Sequence, residues 1–181
     1  MMTQALILAL DLATRTGWAL GSPGDATPLS GSVRFAREGA SMGAVFAGCR
    51  NWLGQFLDEH DDVELIVFEA PMDPMLFVGR PRRPETARQL IGLAAIVEER
   101  TYDRGYDVRE ARVSDIRRHF IGANLKRRAA KDATIEACRR LGWAPVDDNA
   151  ADALALWHYQ ASILDPKLAL QTSPLFRRRC A

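Results

Sequence analysis

Cysteine is scarce: the chain has three, Cys49, Cys138 and Cys180, far apart and with no C-x-x-C pair. That argues against a disulfide framework and a thiolate zinc site, and makes a reducing, cytoplasmic compartment the expectation. Long apolar runs are missing too, and nothing approaches the roughly 20 residues of a membrane span. The stretch from Ala5 to Leu10 is short, lacks a basic flank and runs straight into Asp11, so it reads as a strand rather than a leader. Glycine and proline are dispersed, and there is no internal repeat or linker. Lysine is the rarest charge: of 24 basic residues 3 are Lys and 21 are Arg. Arg forks match phosphate oxygens bidentately, which suits a nucleic-acid ligand, although solvated helix faces would also account for them.

A net charge of +1 hides a division. Residues 1–79 carry 4 basic and 10 acidic side chains, whereas residues 109–140 carry 10 basic and 4 acidic. Acids fit for a metal or for catalysis lie in the first part, and a track for a polyanion in the second. The 181 residues suffice for one domain with a full core, not for two large lobes.

Periodicity supplies the element order. Strands are expected at Ala5 to Leu10, Thr16 to Leu20 and Ser32 to Ala36, then a helix capped by Ser41 and running to about His60. Glu64 to Phe68 is a fourth strand with the apolar look of a central one. A Pro- and Arg-rich loop, Pro71 to Pro84, precedes a helix from about Glu85 to Tyr102 that is apolar around much of its circumference. Asp107 to Ala111 is a fifth strand, followed by a short helix, Asp115 to Phe120, with Ser114 as its cap. The basic run Lys126 to Lys131 leads into a helix ending near Leu141, and Asp147 to Asn149 opens a last helix through about Leu164. The domain is expected to span 1–164, with 165–181 a loosely held tail. A meander followed by βα units gives an α/β fold, a mixed sheet with helices on its faces.

Carboxylates stand where these elements begin and end. Asp11 closes the first strand and Glu69 the fourth, while Asp147, Asp148 and Asp152 open the last helix. If the first and fourth strands are neighbours, Asp11 and Glu69 meet at one edge of the sheet, and a helix across it can present Asp152. Acids this close repel unless a cation neutralises them or some are protonated. Hard oxygen donors with no competing Cys/His set suit Mg²⁺ or Mn²⁺. Singly, each acid has a plainer use: Asp11 as a turn former, Asp147 and Asp148 as helix caps. His60, His119 and His158 show no metal spacing, and the four tryptophans read as core.

Four stretches, LALDLATRTGWAL, LIVFEAP, GANLKRRAAKDATIEACRRLG and DDNAADALALWHY, together resemble the RuvC family of Holliday-junction resolvases within the RNase H-like nuclease superfamily. They occur in family order over residues 6–159. The resemblance implies an RNase H-like mixed five-stranded sheet flanked by helices. It implies Asp11, Glu69 and Asp152 as catalytic acids holding two Mg²⁺ ions, with Mn²⁺ able to substitute, and Lys131 as a catalytic lysine. The family places an Asp or His three residues before the final Asp, where this chain has Asn149, which can ligate through its carbonyl but cannot act as a base; Asp148, one residue earlier, is the preferred substitute, and Asp148 or Asn149 completes the metal set. The resemblance also implies a homodimer formed through the helix from Glu85 to Tyr102, paired cleavage of four-way DNA junctions leaving 5′-phosphate and 3′-hydroxyl ends, and a bacterial or phage-infected cell. No membrane or small-molecule cofactor is implied. Arg80, Arg82, Arg83, Lys126, Arg127, Arg128 and Lys131 are candidate phosphate contacts, and Phe77 a candidate wedge in an opened base stack. RNA–DNA hybrids, flaps or other branched DNA are alternative substrates of the same chemistry, and a non-catalytic DNA-binding module is a further alternative. An actin-like ATPase reading of DLATRTG would need a second lobe.

Overall fold

A computed structural model describes residues 5–71 and 84–172. Its five strands are β1 (Leu6–Asp11), β2 (Arg15–Gly21), β3 (Leu29–Arg34), β4 (Val63–Glu69) and β5 (Asp107–Ala111). The helices are α1 (Met42–Glu59), α2 (Pro84–Tyr102), α3 (Val113–Ile121), α4 (Arg127–Arg140), α5 (Asp148–Leu164) and α6 (Ala169–Thr172). The sheet order is β3-β2-β1-β4-β5, with β1 antiparallel to β2, β2 antiparallel to β3, and β1, β4 and β5 parallel. The expected mixed sheet is therefore present, and the first and fourth strands are neighbours.

Beta1 and β4 are apolar along their middles because both sheet faces are covered there. Ile7, Ala9, Leu65 and Val67 pack under α3, α4 and α5, while Leu8, Leu10, Ile66 and Phe68 pack under α1 and α2. Alternation by two sends successive side chains to opposite cores. The β1–β2 turn is pinned by Thr16, whose Oγ1 donates to the Ala13 carbonyl at 3.0 Å and accepts from the Ala13 N–H at 3.2 Å.

The structure moves some boundaries. Beta3 begins at Leu29 rather than Ser32, because its register is set by pairing along β2, from Leu20↔Leu29 to Arg15↔Arg34. Phe35 and Ala36, beyond that ladder, turn inward onto α1. Ser114 does not cap α3: the cap position is Arg112, with no side-chain hydrogen bond, and Ser114 lies within the first turn. Ser41 and Asp147 do cap their helices, accepting from the N–H groups of Ala44 and Ala150. Of the expected tail, Pro166–Leu168 and α6 fold back against α5 and α3, with Thr172 buried, and residues 173–181 lie outside the described residues. Among the described residues no helix is long and apolar enough to cross a membrane.

Two histidines that look solitary in sequence form a pair. His119 Nε2 lies 2.8 Å from His158 Nδ1, between α3 and α5, with Phe120 and Trp143 around them. Burial, and then the neighbouring His119, push His158 down to about 4; burial also lowers His119. A depressed histidine favours the native state fully above its unfolded value of about 6.5, and that contribution is lost as pH falls toward 4. The urea midpoint of the wild type should therefore converge on that of His158→Gln between pH 7.5 and pH 4.5; a constant difference would contradict this account.

Candidate active site

The register Leu10↔Phe68 brings Asp11 and Glu69 together at the carboxyl ends of two adjacent parallel strands, the usual place for a ligand site in a wound sheet. Alpha5 crosses above β1 and β2. It sits close because Gly17, paired with Asp11, lies directly beneath the Asn149 carbonyl, where any Cβ would collide with backbone. The next turn of α5 delivers Asp152 into the cavity that holds Asp11 and Glu69, walled on its apolar side by Ile116, Phe120 and Leu156.

The cavity is electrostatically unfavourable by itself. Burial, then Asp152 and Glu69, hold the Asp11 carboxyl well above the usual carboxylate range, with Lys131 pulling the other way. Burial pushes Asp152 up to about 6 against the pull of Lys131 and Arg117. Crowded, desolvated carboxylates of this kind are what a bound cation relieves. The donor set is all oxygen, which fits Mg²⁺ or Mn²⁺ rather than zinc; Cys49 and Cys138 are buried, and burial pushes both thiols up to about 12. As the side chains stand, no three acids, histidines or cysteines among the described residues gather as a ligand set.

The acids in the first turn of α5 have partners of their own. Asp148 is ion-paired with Lys131 of α4. The Asn149 side chain weakly favours the charged form of Asp147, while its carbonyl faces Gly17. Asp147 is the helix cap: it accepts from Ser32 Oγ at 2.6 Å and Ala150 N–H at 2.9 Å, with Arg15 Nε at 3.4 Å. Burial raises its carboxyl, but these bonds outweigh that and leave it below the usual range. Asp11, Glu69 and Asp152 thus line one cavity, and Asp148 is adjacent.

Lys126 and Arg128 are exposed at the start of α4, and Arg127 opens that helix. Phe77, Arg80, Arg82 and Arg83 lie outside the described residues. Arg117 of α3 was missed by sequence reasoning; it lines the acidic cavity and also the adjoining one formed with Leu12, Pro71 and Leu90. Its only signal is its place between buried Ile116 and Phe120, and one Arg among 21 does not stand out.

No protein-family model matches the chain, and no curated protein matches it in sequence. Solved structures do match. A Thermus thermophilus RuvC in complex with a Holliday junction substrate aligns with a TM-score of 0.67 at 15% identity, covering 91% of this chain and 96% of that one. The fold is that of the RuvC resolvases. A second T. thermophilus RuvC structure gives 0.62 at 14% identity, covering 90% and 96%. The yeast mitochondrial Holliday junction resolvase Ydc2 gives 0.63 at 12%, covering 93% and 80%. At these identities the likeness is one of fold. Within this fold the acids of the present chain stand at the carboxyl ends of β1 and β4 and on α5.

Proposed function

We propose that the chain is a divalent-metal-dependent endonuclease that resolves four-way DNA junctions as a homodimer. The observation carrying this reading is the convergence of Asp11, Glu69 and Asp152, from three separate elements, in one cavity. Its support for a junction substrate is the fold shared with a RuvC bound to a Holliday junction. Asp11, Glu69 and Asp152 would hold Mg²⁺ or Mn²⁺, with Asp148 completing the set. When bound, such ions activate water and stabilise the leaving oxygen of a phosphodiester.

The chain's own cations then have distinct work. Arg117, at the cavity wall, offers a planar fork to a non-bridging phosphate oxygen. Lys131 supplies a compact charge beside the acids. Lys126 and Arg128, exposed where α4 begins, meet the DNA backbone with help from the helix dipole. Arg80, Arg82, Arg83 and Arg127 extend that track, and Phe77 wedges the opened stack; these roles follow from the resemblance.

The dimer is assigned to α2, which is less uniformly apolar than its sequence suggests. Leu93, Ala94, Val97 and Thr101 are buried, and the outward stripe is Arg88, Ile91, Ala95, Glu99 and Tyr102. Ile91 is 46% and Tyr102 85% exposed, so each has surface left to bury. Antiparallel self-pairing centred on Ala95 sets the basic end of one stripe against the acidic end of the other, as a two-fold interface requires. Labelled four-way junction, RNA–DNA hybrid and flap substrates with Mg²⁺ or Mn²⁺ decide the matter. Paired nicks at symmetric positions in the junction, with 5′-phosphate ends, are expected; cleavage of the hybrid or flap alone would keep the chemistry and replace the substrate.

A further inference from the structure

We infer that Lys131 is a built-in counter-cation for Asp148 that the chain exchanges for a divalent ion, so that metal binding completes the acidic set and releases the ammonium toward the phosphate. The inference rests on the nuclease reading above and adds an order of events to it.

Four observations meet here. The Lys131 Nζ donates to Asp148 Oδ2 across the α4–α5 contact. Both side chains keep an outlet to solvent, 34% and 38% exposed, so the pair is not locked in the core. Lys131 and Asp148 both act electrostatically on Asp11 and on Asp152, so the pair borders the cavity. Among the described residues the carboxylates nevertheless do not gather as a ligand set while Asp148 stays paired with Lys131.

The residue type fits the role. A guanidinium would grip Asp148 with a rigid two-pronged fork, whereas an ammonium is a point charge on a flexible stem that can swing away. The chain uses Arg at 21 of its 24 basic positions, yet Lys stands here. One ammonium also balances only part of the charge of Asp11, Glu69, Asp148 and Asp152. A divalent ion brings more charge to the same oxygens, so exchange is favourable, and the freed ammonium stays tethered beside the site.

Manganese binding followed by calorimetry and by electron paramagnetic resonance, together with melting temperatures with and without Mn²⁺, tests this on the full chain. Lys131→Met should melt lower than wild type without metal but bind Mn²⁺ more tightly, by roughly fivefold, about what a partly exposed ion pair accounts for. Its gain in melting temperature on adding Mn²⁺ should be correspondingly larger. Asp148→Asn should bind Mn²⁺ about tenfold more weakly or worse, and Lys131→Arg should hold Asp148 harder and also bind more weakly. A merely structural ion pair would instead lower the melting temperature of Lys131→Met equally with and without Mn²⁺ and leave affinity unchanged; that result overturns the exchange while the nuclease reading stands. Absence of Mn²⁺ binding by wild type overturns both.

Discussion

Asp11→Asn should lower junction cleavage by about a thousandfold or more, since metal-assisted stabilisation of a phosphodiester transition state is worth several kcal/mol. Junction binding should stay within about threefold, because affinity for branched DNA comes mainly from cations contacting phosphates elsewhere. The same substitution should raise the melting temperature of the metal-free protein. Asp11 is a crowded acid, with Asp152 and Glu69 both acting against its charge. An isosteric neutral amide removes that repulsion while keeping the β1–β2 ladder, which uses only backbone at this position. Loss of activity with gain of stability would identify the acid as functional, because a residue serving the fold loses both. Retained cleavage, or a variant less stable than wild type without metal, would refute the proposed site.

Gly17→Ala should destabilise the protein by about 3 kcal/mol and abolish cleavage. Overpacking normally costs about 1–3 kcal/mol when side chains can yield. Here the new methyl meets the main-chain carbonyl of Asn149 in α5, and neither the ladder nor the helix has a rotamer to change. Relief requires α5 to lift from β2, which carries Asp152 away from Asp11. Gly43→Ala is the matched control. Gly43 is exposed in the first turn of α1, with Ser41 Oγ 4.0 Å from the added carbon, so alanine there should be neutral or stabilising by up to about 1 kcal/mol. Equal urea midpoints for the two variants would show that the close approach at Gly17 is not required.

Much of this architecture is readable in the residues because the elements that build the site are buried on both sides. The stretch of a strand covered on both faces must be apolar, so a charge where it ends is conspicuous: the runs LILAL and LIVF stop at Asp11 and Glu69. The helix DNAADALALWHYQASIL is likewise so deeply packed that Asp152 interrupts an almost unbroken buried run. What was hidden depends on contacts between distant segments. His119 and His158 stand 39 residues apart and meet only when α3 packs on α5. Arg117 is one basic residue on an amphipathic helix until the cavity forms beside it. The capping of α5 by Asp147 draws on Ser32 of β3, 115 residues away. The pairing of Lys131 with Asp148 follows from the way α4 lies against α5, and periodicity carries no trace of it.

Ala150, Ala151, Ala153 and Ala155 are all buried, at no more than 4% exposure, around the one acid of that segment. So small a set of side chains lets the helix axis ride low over the strands, and a short aspartate reaches where a higher-riding helix would need a longer arm. The placement of that carboxylate is then a property of main-chain geometry rather than of torsional choice. Mutational tolerance along α5 should follow bulk instead of distance from the chemistry, with a single added methylene beneath the helix as damaging as a change among the acids themselves.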